Sequence, residues 1–209
     1  MSSTKEKIRT AALKLFNQNG IVNVRLQHIA DEAFVSVGNL AYHYQNKETI
    51  LEVLYATLTK KQKQLLAEYR IVPLFDNIDR LIYHTFQLQE EYIFFYLDTL
   101  EIVRAYPAVQ QAHQEHIQSQ INQLKMILDF NVARGALVPE PIDGVFDQLS
   151  LQIWMTMDLW RTQQYVRVTQ EPDVQDYRQA VWNLLIPFFT GMGKQEYKQM
   201  RQMPYLFDF

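Results

Sequence analysis

The scarcity of helix-breaking residues constrains the fold of this chain more than any other feature of its sequence. Only six Gly and seven Pro occur among its 209 residues, and such residues mark the turns between elements. Over most of the chain, apolar residues recur every three or four positions, which is the spacing of one helix face. No segment alternates apolar and polar residues between hairpin turns. The sequence therefore predicts an all-α fold with about nine helices.

Other compositional features limit the class of protein. The chain contains no Cys, which excludes disulfide bonds and thiolate chemistry. Its first five residues run directly into a charged amphipathic stretch and lack the apolar segment of a signal peptide. The longest apolar runs, at residues 92–97 and 184–189, are too short to span a bilayer. We therefore expect a soluble cytoplasmic protein with no membrane contact.

Charge is unevenly distributed along the chain. Residues 1–63 contain nine Lys and Arg against five Asp and Glu, a net charge of +4, whereas residues 64–209 contain eleven against eighteen, a net charge of −7. A basic N-terminal part beside an acidic remainder suggests that the N-terminal part meets a polyanion such as nucleic acid. Solvated helix faces could give the same imbalance, so charge alone leaves both interpretations open.

Four helical patterns follow one another in the N-terminal third. Thr4 can cap the first, and Gly20 is expected to end it, because Gly tolerates the left-handed backbone that follows a helix. Ser36 is a good cap for the third helix, and Asn46 can cap the long fourth one. The four helices are predicted over residues 4–19, 26–33, 37–44 and 46–70.

Joints marked by Gly or Pro separate the helices that are predicted for the rest of the chain. Pro187 lies inside the last strong pattern and is expected to kink that helix. Gly191 and Gly193 are expected to close it, and residues 194–209 read as a polar stretch. The helices are predicted from residue 73 to about 87, from about 89 to 104, and over 107–134, 142–168 and 174–190.

The most informative stretch is residues 25–47. Two short helices separated by a brief turn, with another helix packed behind them, form a helix-turn-helix. The second short helix of such a unit enters the DNA major groove. Here that helix carries no acidic residue, which suits a surface that lies beside phosphates. Leu40 and Tyr44, four residues apart, are expected to face the core.

At this point the sequence resembles a known family. Over about residues 5–55, its motifs are similar, in one register and without a gap, to the DNA-binding signature of the TetR (tetracycline-repressor) family. The matching residues are Gly20, Ile29-Ala30-Asp31-Glu32-Ala33, Val35-Ser36-x-Gly38-Asn39-Leu40, Tyr42-His43-Tyr44, Asn46-Lys47-Glu48 and Ile50-Leu51.

The resemblance implies roles for individual residues. Ser36 and Lys47 match positions that contact phosphates, and the amide of Asn39 suits an adenine edge. The chain departs from the pattern at Phe34, where Gly is usual, and at Ala41, where a phosphate-contacting Tyr is common. The family usually has a Thr just before the second helix, and this chain has Arg25-Leu26 there. Arg25 is therefore expected to make the phosphate contact in place of that Thr. The predicted DNA-binding residues are Arg25, Ser36, Val37, Gly38, Asn39, Tyr42, His43 and Lys47.

The resemblance also implies the organisation of the whole chain. It predicts a three-helix DNA-binding domain over residues 1–46 and a helical ligand-binding and dimerisation domain over residues 47–209. A protein of this kind binds a palindromic operator as a homodimer, most often as a repressor. A small effector, apolar or aromatic in view of the many rings in this part of the chain, is expected to release it from double-stranded DNA.

Two sets of residues in the second domain are candidates for these roles, although a protomer core explains many of the same side chains equally well. The candidate ligand pocket comprises Phe86, Tyr92, Phe95, Tyr96, Thr99, Trp154, Asp158 and Arg161. The candidate dimer interface, two helices from each subunit in a four-helix bundle, comprises Phe146, Leu149, Ile153, Val181, Leu184, Leu185 and Phe188.

Other classes of function are less consistent with the sequence. His113 and His116 lie three apart on one predicted helix, but they do not form a zincin motif and are expected at the surface. Nucleophile-elbow, P-loop and dinucleotide-binding motifs are absent, so we predict no enzyme, no catalytic residue, no metal and no cofactor. A DNA-binding or interaction protein of the same fold that is controlled by a protein partner is the alternative.

Overall fold

A computed structural model describes residues 3–167 and 173–202. Over these residues the chain forms eleven α-helices, joined by turns and short loops. They are α1 (Thr4–Asn23), α2 (Leu26–Glu32), α3 (Val37–His43), α4 (Lys47–Tyr69), α5 (Phe75–Glu91), α6 (Ile93–Leu97), α7 (Thr99–Ala105), α8 (Pro107–Ala133), α9 (Val145–Arg167), α10 (Val174–Leu185) and α11 (Gly191–Gln202).

The all-α prediction is confirmed, and the first four helices lie close to their predicted boundaries. The described residues form eleven helices where about nine were predicted, and the single helix predicted from about 89 to 104 is divided into α6 and α7. Asn46 caps α4 by accepting a hydrogen bond from the Thr49 amide at 2.9 Å. The cap of α1 is Ser3, whose hydroxyl accepts from the Glu6 amide, so the prediction of Thr4 as that cap was wrong. Gly20 breaks the helical backbone as predicted, with φ +71° and ψ 156°, although the helix resumes for three residues after it.

The C-terminal half differs more from the prediction. Helix α9 begins at Val145, after a loop that contains Gly144 at φ +86°; its predicted end at residue 168 lies outside the described residues. Helix α10 ends at Leu185, and Pro187 lies in a 3₁₀ turn, Ile186–Phe188. Gly191 begins a further helix, so the prediction that residues 194–209 form only a polar stretch was wrong as far as residue 202.

The described residues divide into two compact units. The first contains residues 3–62 and 88–116, and the second contains residues 63–87, 117–167 and 173–202. In the first unit, α1 packs against α2 and α6, and the ring of Phe16 lies 5.4 Å from that of Phe94. The side-chain amide of Asn17 donates to the Glu91 carbonyl at 2.9 Å and accepts from the Phe94 amide at 3.2 Å. These contacts fix α1 against the start of α6.

The second unit has a large apolar core built from α5, α8, α9, α10 and α11. A buried polar group crosses this core: the Asp79 carboxylate accepts hydrogen bonds from the Arg178 guanidinium and from the Trp182 indole at 2.8 Å. Both charged side chains are at most 3% exposed. Because each buried charge is neutralised and hydrogen-bonded, the pair holds α5 and α10 in one register.

Helix α11 is fastened to the second unit by charge and by close backbone packing. Glu196 accepts two hydrogen bonds from Arg134, at 2.7 and 2.9 Å, and one from the Phe75 amide at 2.9 Å. Gly193 lies against the Ala136 carbonyl, so that a Cβ added there would lie 2.2 Å from its oxygen. The missing side chain of Gly193 therefore permits the position that α11 adopts.

Candidate nucleic-acid interface

The predicted helix-turn-helix is present in the first unit as α2, a short turn and α3. The inward residues of the two helices are fully buried, including Ile29, Ala30 and Leu40 at 0% exposure. Tyr44, directly after α3, is also buried. The prediction that Leu40 and Tyr44 face the core is confirmed, and the opposite side of α3 is left at the surface.

The turn between α2 and α3 is a complete Schellman motif with an unusual residue at its left-handed position. The Phe34 amide donates to the Asp31 carbonyl at 3.1 Å, and the Val35 amide donates to the Ala30 carbonyl at 3.0 Å. Phe34 has φ +56° and is 94% exposed. A residue with a Cβ costs about 1–2 kcal/mol in this conformation. The chain thus retains the turn that Gly favours, although Phe occupies the position.

The surface of α3 presents the side chains that the sequence assigned to DNA. Ser36 caps the helix, its hydroxyl accepting from the Asn39 amide at 3.1 Å. Tyr42 is 86% exposed, and its ring meets the ring of His43 edge-on at 5.1 Å. Of the eight predicted DNA-binding residues, two are half-buried, His43 and Lys47, and six are exposed: Arg25, Ser36, Val37, Gly38, Asn39 and Tyr42.

The start of α2 is organised by a histidine that the sequence analysis did not single out. The His28 ring nitrogen Nδ1 accepts a hydrogen bond from the Arg25 amide at 3.3 Å. This bond satisfies the amide that precedes the helix, as the third residue of a capping box does. The Arg25 side chain is exposed, at the N-terminus of a helix whose amides and dipole favour a phosphate.

The Lys47 ammonium is bound to backbone carbonyls of the protein itself. Its ammonium donates to the carbonyls of Ile21 at 2.7 Å and Val24 at 3.1 Å. The side chain is half-buried, and this burial lowers the pKa of the ammonium. Two of its three donors are therefore occupied by backbone carbonyls at the C-terminal end of α1. Its contact with DNA stays a prediction.

Comparison with known families decides the identity of this helix-turn-helix and of the helices that follow it. Residues 8–54 match the family model described as bacterial regulatory proteins of the tetR family, and residues 59–197 match the TetR model described as bacterial transcriptional repressor. The chain belongs to the TetR family. It is a DNA-binding transcriptional regulator by fold and by family.

Individual regulators are also similar to this chain. The HTH-type transcriptional regulator YhgD of Bacillus subtilis (strain 168) is 27% identical over 165 residues, which cover 76% of this chain and 85% of that protein. A TetR-family regulator from Marinobacter aquaeolei VT8 has a TM-score of 0.83 at 22% identity, with 96% and 98% of the two chains covered. A TetR regulator from Haloarcula marismortui ATCC 43049 has a TM-score of 0.73 at 16% identity, with 91% and 100% covered.

The candidate pocket residues of this TetR chain are divided between its two units. In the first unit, Tyr92, Phe95 and Tyr96 are buried, and the Thr99 hydroxyl donates to the Phe95 carbonyl. In the second unit, the Arg161 guanidinium lies 5.3 Å from the centre of the Phe86 ring, the Trp154 indole donates to Gln120 at 3.1 Å, and burial raises the pKa of Asp158 to about 7. Each unit therefore contains four of the eight residues.

An enclosed apolar cavity that the sequence analysis missed lies inside the second unit. Its volume is about 20 Å³. Among the described residues that line it, Asn131 alone has a polar side chain, and its amide already donates to the carbonyls of Pro73 and Ile127. Helix periodicity indicates that the apolar residues lining this cavity face inward, but it does not show where their packing leaves a gap. The cavity-lining residues include Ile78, Leu81, Leu124, Ile153, Met157 and Val181.

The structure corrects most of the predicted dimer surface. Five of the seven residues, Phe146, Leu149, Ile153, Val181 and Leu185, are at most 4% exposed and belong to the protomer's own core. Leu184 and Phe188 are half-buried and line an open groove of about 670 Å³ along α9 and α10. The exposed side of α9 instead carries a stripe at helical spacing: Gln148, Gln152, Met155, Leu159 and Val166.

Two histidines expected at the surface are buried instead. His113 bonds to the Tyr55 hydroxyl at 3.1 Å, and His116 bonds to Gln62 at 2.7 Å. Burial lowers the pKa of His113 to about 4, so its ring is neutral at pH 7. Within the described part of the chain, no three His, Asp or Glu side chains are grouped to hold a metal ion.

Among the helices described between residues 3 and 202, none is both long enough and apolar enough to cross a bilayer.

Proposed function

We propose that this TetR-family regulator is a homodimeric repressor that binds a palindromic operator through α3 and leaves it when a small apolar molecule binds. The observation that carries the proposal is the exposed face of α3. It is free of carboxylates, its N-terminus is fixed by the Ser36 cap, and its inward side is buried. A rigid helix with an acid-free outer face is what docking in a major groove requires.

Asn39 is the residue most suited to read a base. It is exposed on the outer side of α3, and a side-chain amide can bond to both edge groups of adenine. Asn39→Ala is expected to lower the affinity for the specific site by about 1–3 kcal/mol, which is about 5- to 150-fold, with little change on scrambled DNA. Mobility-shift titration of both fragments measures the difference.

Gln64→Ala is the matched control, because it removes an exposed amide from α4, outside the helix-turn-helix. It should bind like the wild type. Equal affinities of the wild type and Asn39→Ala for the specific fragment would exclude Asn39 from base recognition.

A second copy of the chain is the proposed partner of the exposed stripe on α9. Two half-sites of a palindrome require two recognition helices, which one protomer does not supply. Met155 and Leu159 are 42% and 43% exposed, beside the open groove between α9 and α10. We expect Leu159→Glu to convert the dimer to a monomer, because a charge buried in an apolar interface lacks a partner.

Analytical ultracentrifugation measures this change directly. Met126→Glu is the control, since Met126 is 62% exposed on α8 and lies outside the stripe. It should leave the mass unchanged. A Leu159→Glu variant that remains dimeric would place the interface elsewhere.

The apolar cavity of the second unit supports an apolar effector. Its walls are hydrocarbon apart from the occupied Asn131 amide, and apolar cavities stay dry and accept apolar molecules. At about 20 Å³ it holds only a water-sized group, so a larger ligand must displace the surrounding helices. A ligand that binds only the expanded state shifts the chain toward that state.

A thermal-shift screen with apolar compounds tests this part of the proposal. A compound present at a hundred times its Kd is expected to stabilise the protein by about 2.7 kcal/mol, raising the Tm by several degrees. Filling the cavity with Leu81→Phe should abolish the shift. The same shift in wild type and variant would contradict the cavity as the site.

A further inference from the structure

The C-terminal end of α1, after the break in its helical backbone at Gly20, is held by two charged side chains. This segment, residues 20–24, begins at Gly20 and ends one residue before Arg25, which precedes α2. The Ile21 amide donates to the Asp98 carboxylate at 2.9 Å, and the Ile21 carbonyl accepts from the Lys47 ammonium at 2.7 Å. The backbone of Ile21 is thus hydrogen-bonded at its amide by Asp98 and at its carbonyl by Lys47.

The backbone of Gly20 makes the approach of Asp98 possible. Gly20 has φ +71°, a conformation that residues with side chains rarely adopt, and a Cβ there would lie 3.1 Å from the Asp98 Oδ2 atom. Lys47 also donates a hydrogen bond to the Val24 carbonyl, at the end of the segment, at 3.1 Å. Val24 itself is buried, so the segment 20–24 is held at both Ile21 and Val24.

We propose that Lys47 and Asp98 are positioning residues that together fix the segment 20–24 and thereby the placement of the helix-turn-helix on DNA. This proposal rests on the proposed DNA binding and adds to it how the binding surface is held. Lys47 then contributes to affinity through the carbonyls of Ile21 and Val24. Its role differs from the phosphate contact that the sequence predicted.

The two roles of Lys47 have different consequences for the dependence of binding on salt. Each phosphate neutralised by a cation contributes about 0.9 to the slope of log affinity against log salt concentration. Loss of a phosphate contact therefore makes the slope shallower by about 0.9. Loss of a positioning bond lowers the affinity at every salt concentration and leaves the slope unchanged.

Asp98 separates the two accounts by the sign of its effect. As an acidic residue it repels DNA, so electrostatics alone predicts tighter binding when it is removed. Positioning predicts weaker binding, because the Ile21 amide loses its acceptor. A hydrogen bond to a charged group contributes about 1.5 kcal/mol or more. Its loss is therefore expected to lower the fraction of molecules with a correctly placed helix-turn-helix, and hence the affinity for DNA, about tenfold.

The test uses the full-length protein with the DNA fragment upstream of its own gene, titrated at several salt concentrations. Lys47→Met and Asp98→Ala are each expected to weaken binding about tenfold with the wild-type slope. Asp98→Asn keeps an acceptor oxygen and should bind like the wild type. Lys60→Met, from an exposed position on α4, and Glu101→Ala, from an exposed position on α7, control for the charge changes.

An Asp98→Ala variant that binds as tightly as the wild type, or more tightly, overturns the proposal. A Lys47→Met variant whose slope is shallower by about 0.9 also overturns it. Hydrogen exchange of the DNA-free proteins gives a readout that does not depend on DNA binding. Residues 20–44 should exchange faster in Lys47→Met and Asp98→Ala than in the controls. Unchanged exchange would contradict the positioning role of Lys47 and Asp98, even if the wild type binds no DNA.

Discussion

Replacing Asp79 with Ala is expected to destabilise the second unit by about 3–5 kcal/mol. The substitution leaves the Arg178 guanidinium, which is 3% exposed, without its counter-ion. It also removes the acceptor of the Trp182 indole. A buried charge that loses its partner costs far more than the intact pair contributes, because water cannot replace the lost interaction. Urea unfolding followed by Trp fluorescence reports this unit, since Trp154, Trp160 and Trp182 all lie in it.

Asp76→Ala is the matched control for that substitution. Asp76 lies one turn earlier on α5 and is 47% exposed, where it pairs with Arg80 at the surface. Its loss should cost no more than about 1 kcal/mol. The double variant Asp79→Leu/Arg178→Met replaces the pair with apolar groups and should recover most of the stability. Equal costs for Asp76→Ala and Asp79→Ala would contradict a structural role for the buried pair.

Gly193→Ala is expected to cost about 3 kcal/mol. The added methyl group would lie 2.2 Å from the Ala136 carbonyl oxygen and 3.2 Å from its carbon. Both are backbone atoms, which cannot rotate away, so α11 must move from the core where Met200 is buried. The same urea titration measures the loss.

Gly191→Ala provides a sharp contrast only two residues away. A Cβ at Gly191 meets nothing within 4 Å, and Ala favours a helix over Gly by up to about 1 kcal/mol. That variant should be as stable as the wild type or more stable. If both substitutions change the free energy of unfolding equally, the close approach of α11 to Ala136 is wrong.

Features that depend on local sequence were predicted well. The spacing of Leu40 and Tyr44 placed both in the core, and Ser36 was identified as a cap from its residue type and position. Local patterns failed where a distant contact decides the structure. Gly193 was predicted to end a helix, whereas it lies inside α11, at a point where the Ala136 carbonyl leaves no room for a side chain.

The candidate sites show the same division between local and distant information. Periodicity identified the apolar faces of α9 and α10, but it cannot say whether an apolar face meets its own chain or another. Phe146 and Ile153 were predicted at the dimer interface for this reason, and both are core residues of the protomer. The hydrogen bond from Lys47 to the Ile21 carbonyl joins residues 26 positions apart. The spacing of residues in the sequence does not predict such a contact.

Recognition of a specific DNA site by the outer face of α3 is tested most directly by one titration. The full-length protein is mixed with the DNA upstream of its own gene and, separately, with a scrambled fragment of the same length, at physiological salt. We predict tight binding to the upstream fragment, with two subunits per site, and binding to the scrambled fragment at least a thousandfold weaker, as is typical of specific regulators. Equal, weak binding to both fragments would contradict recognition of this site by α3.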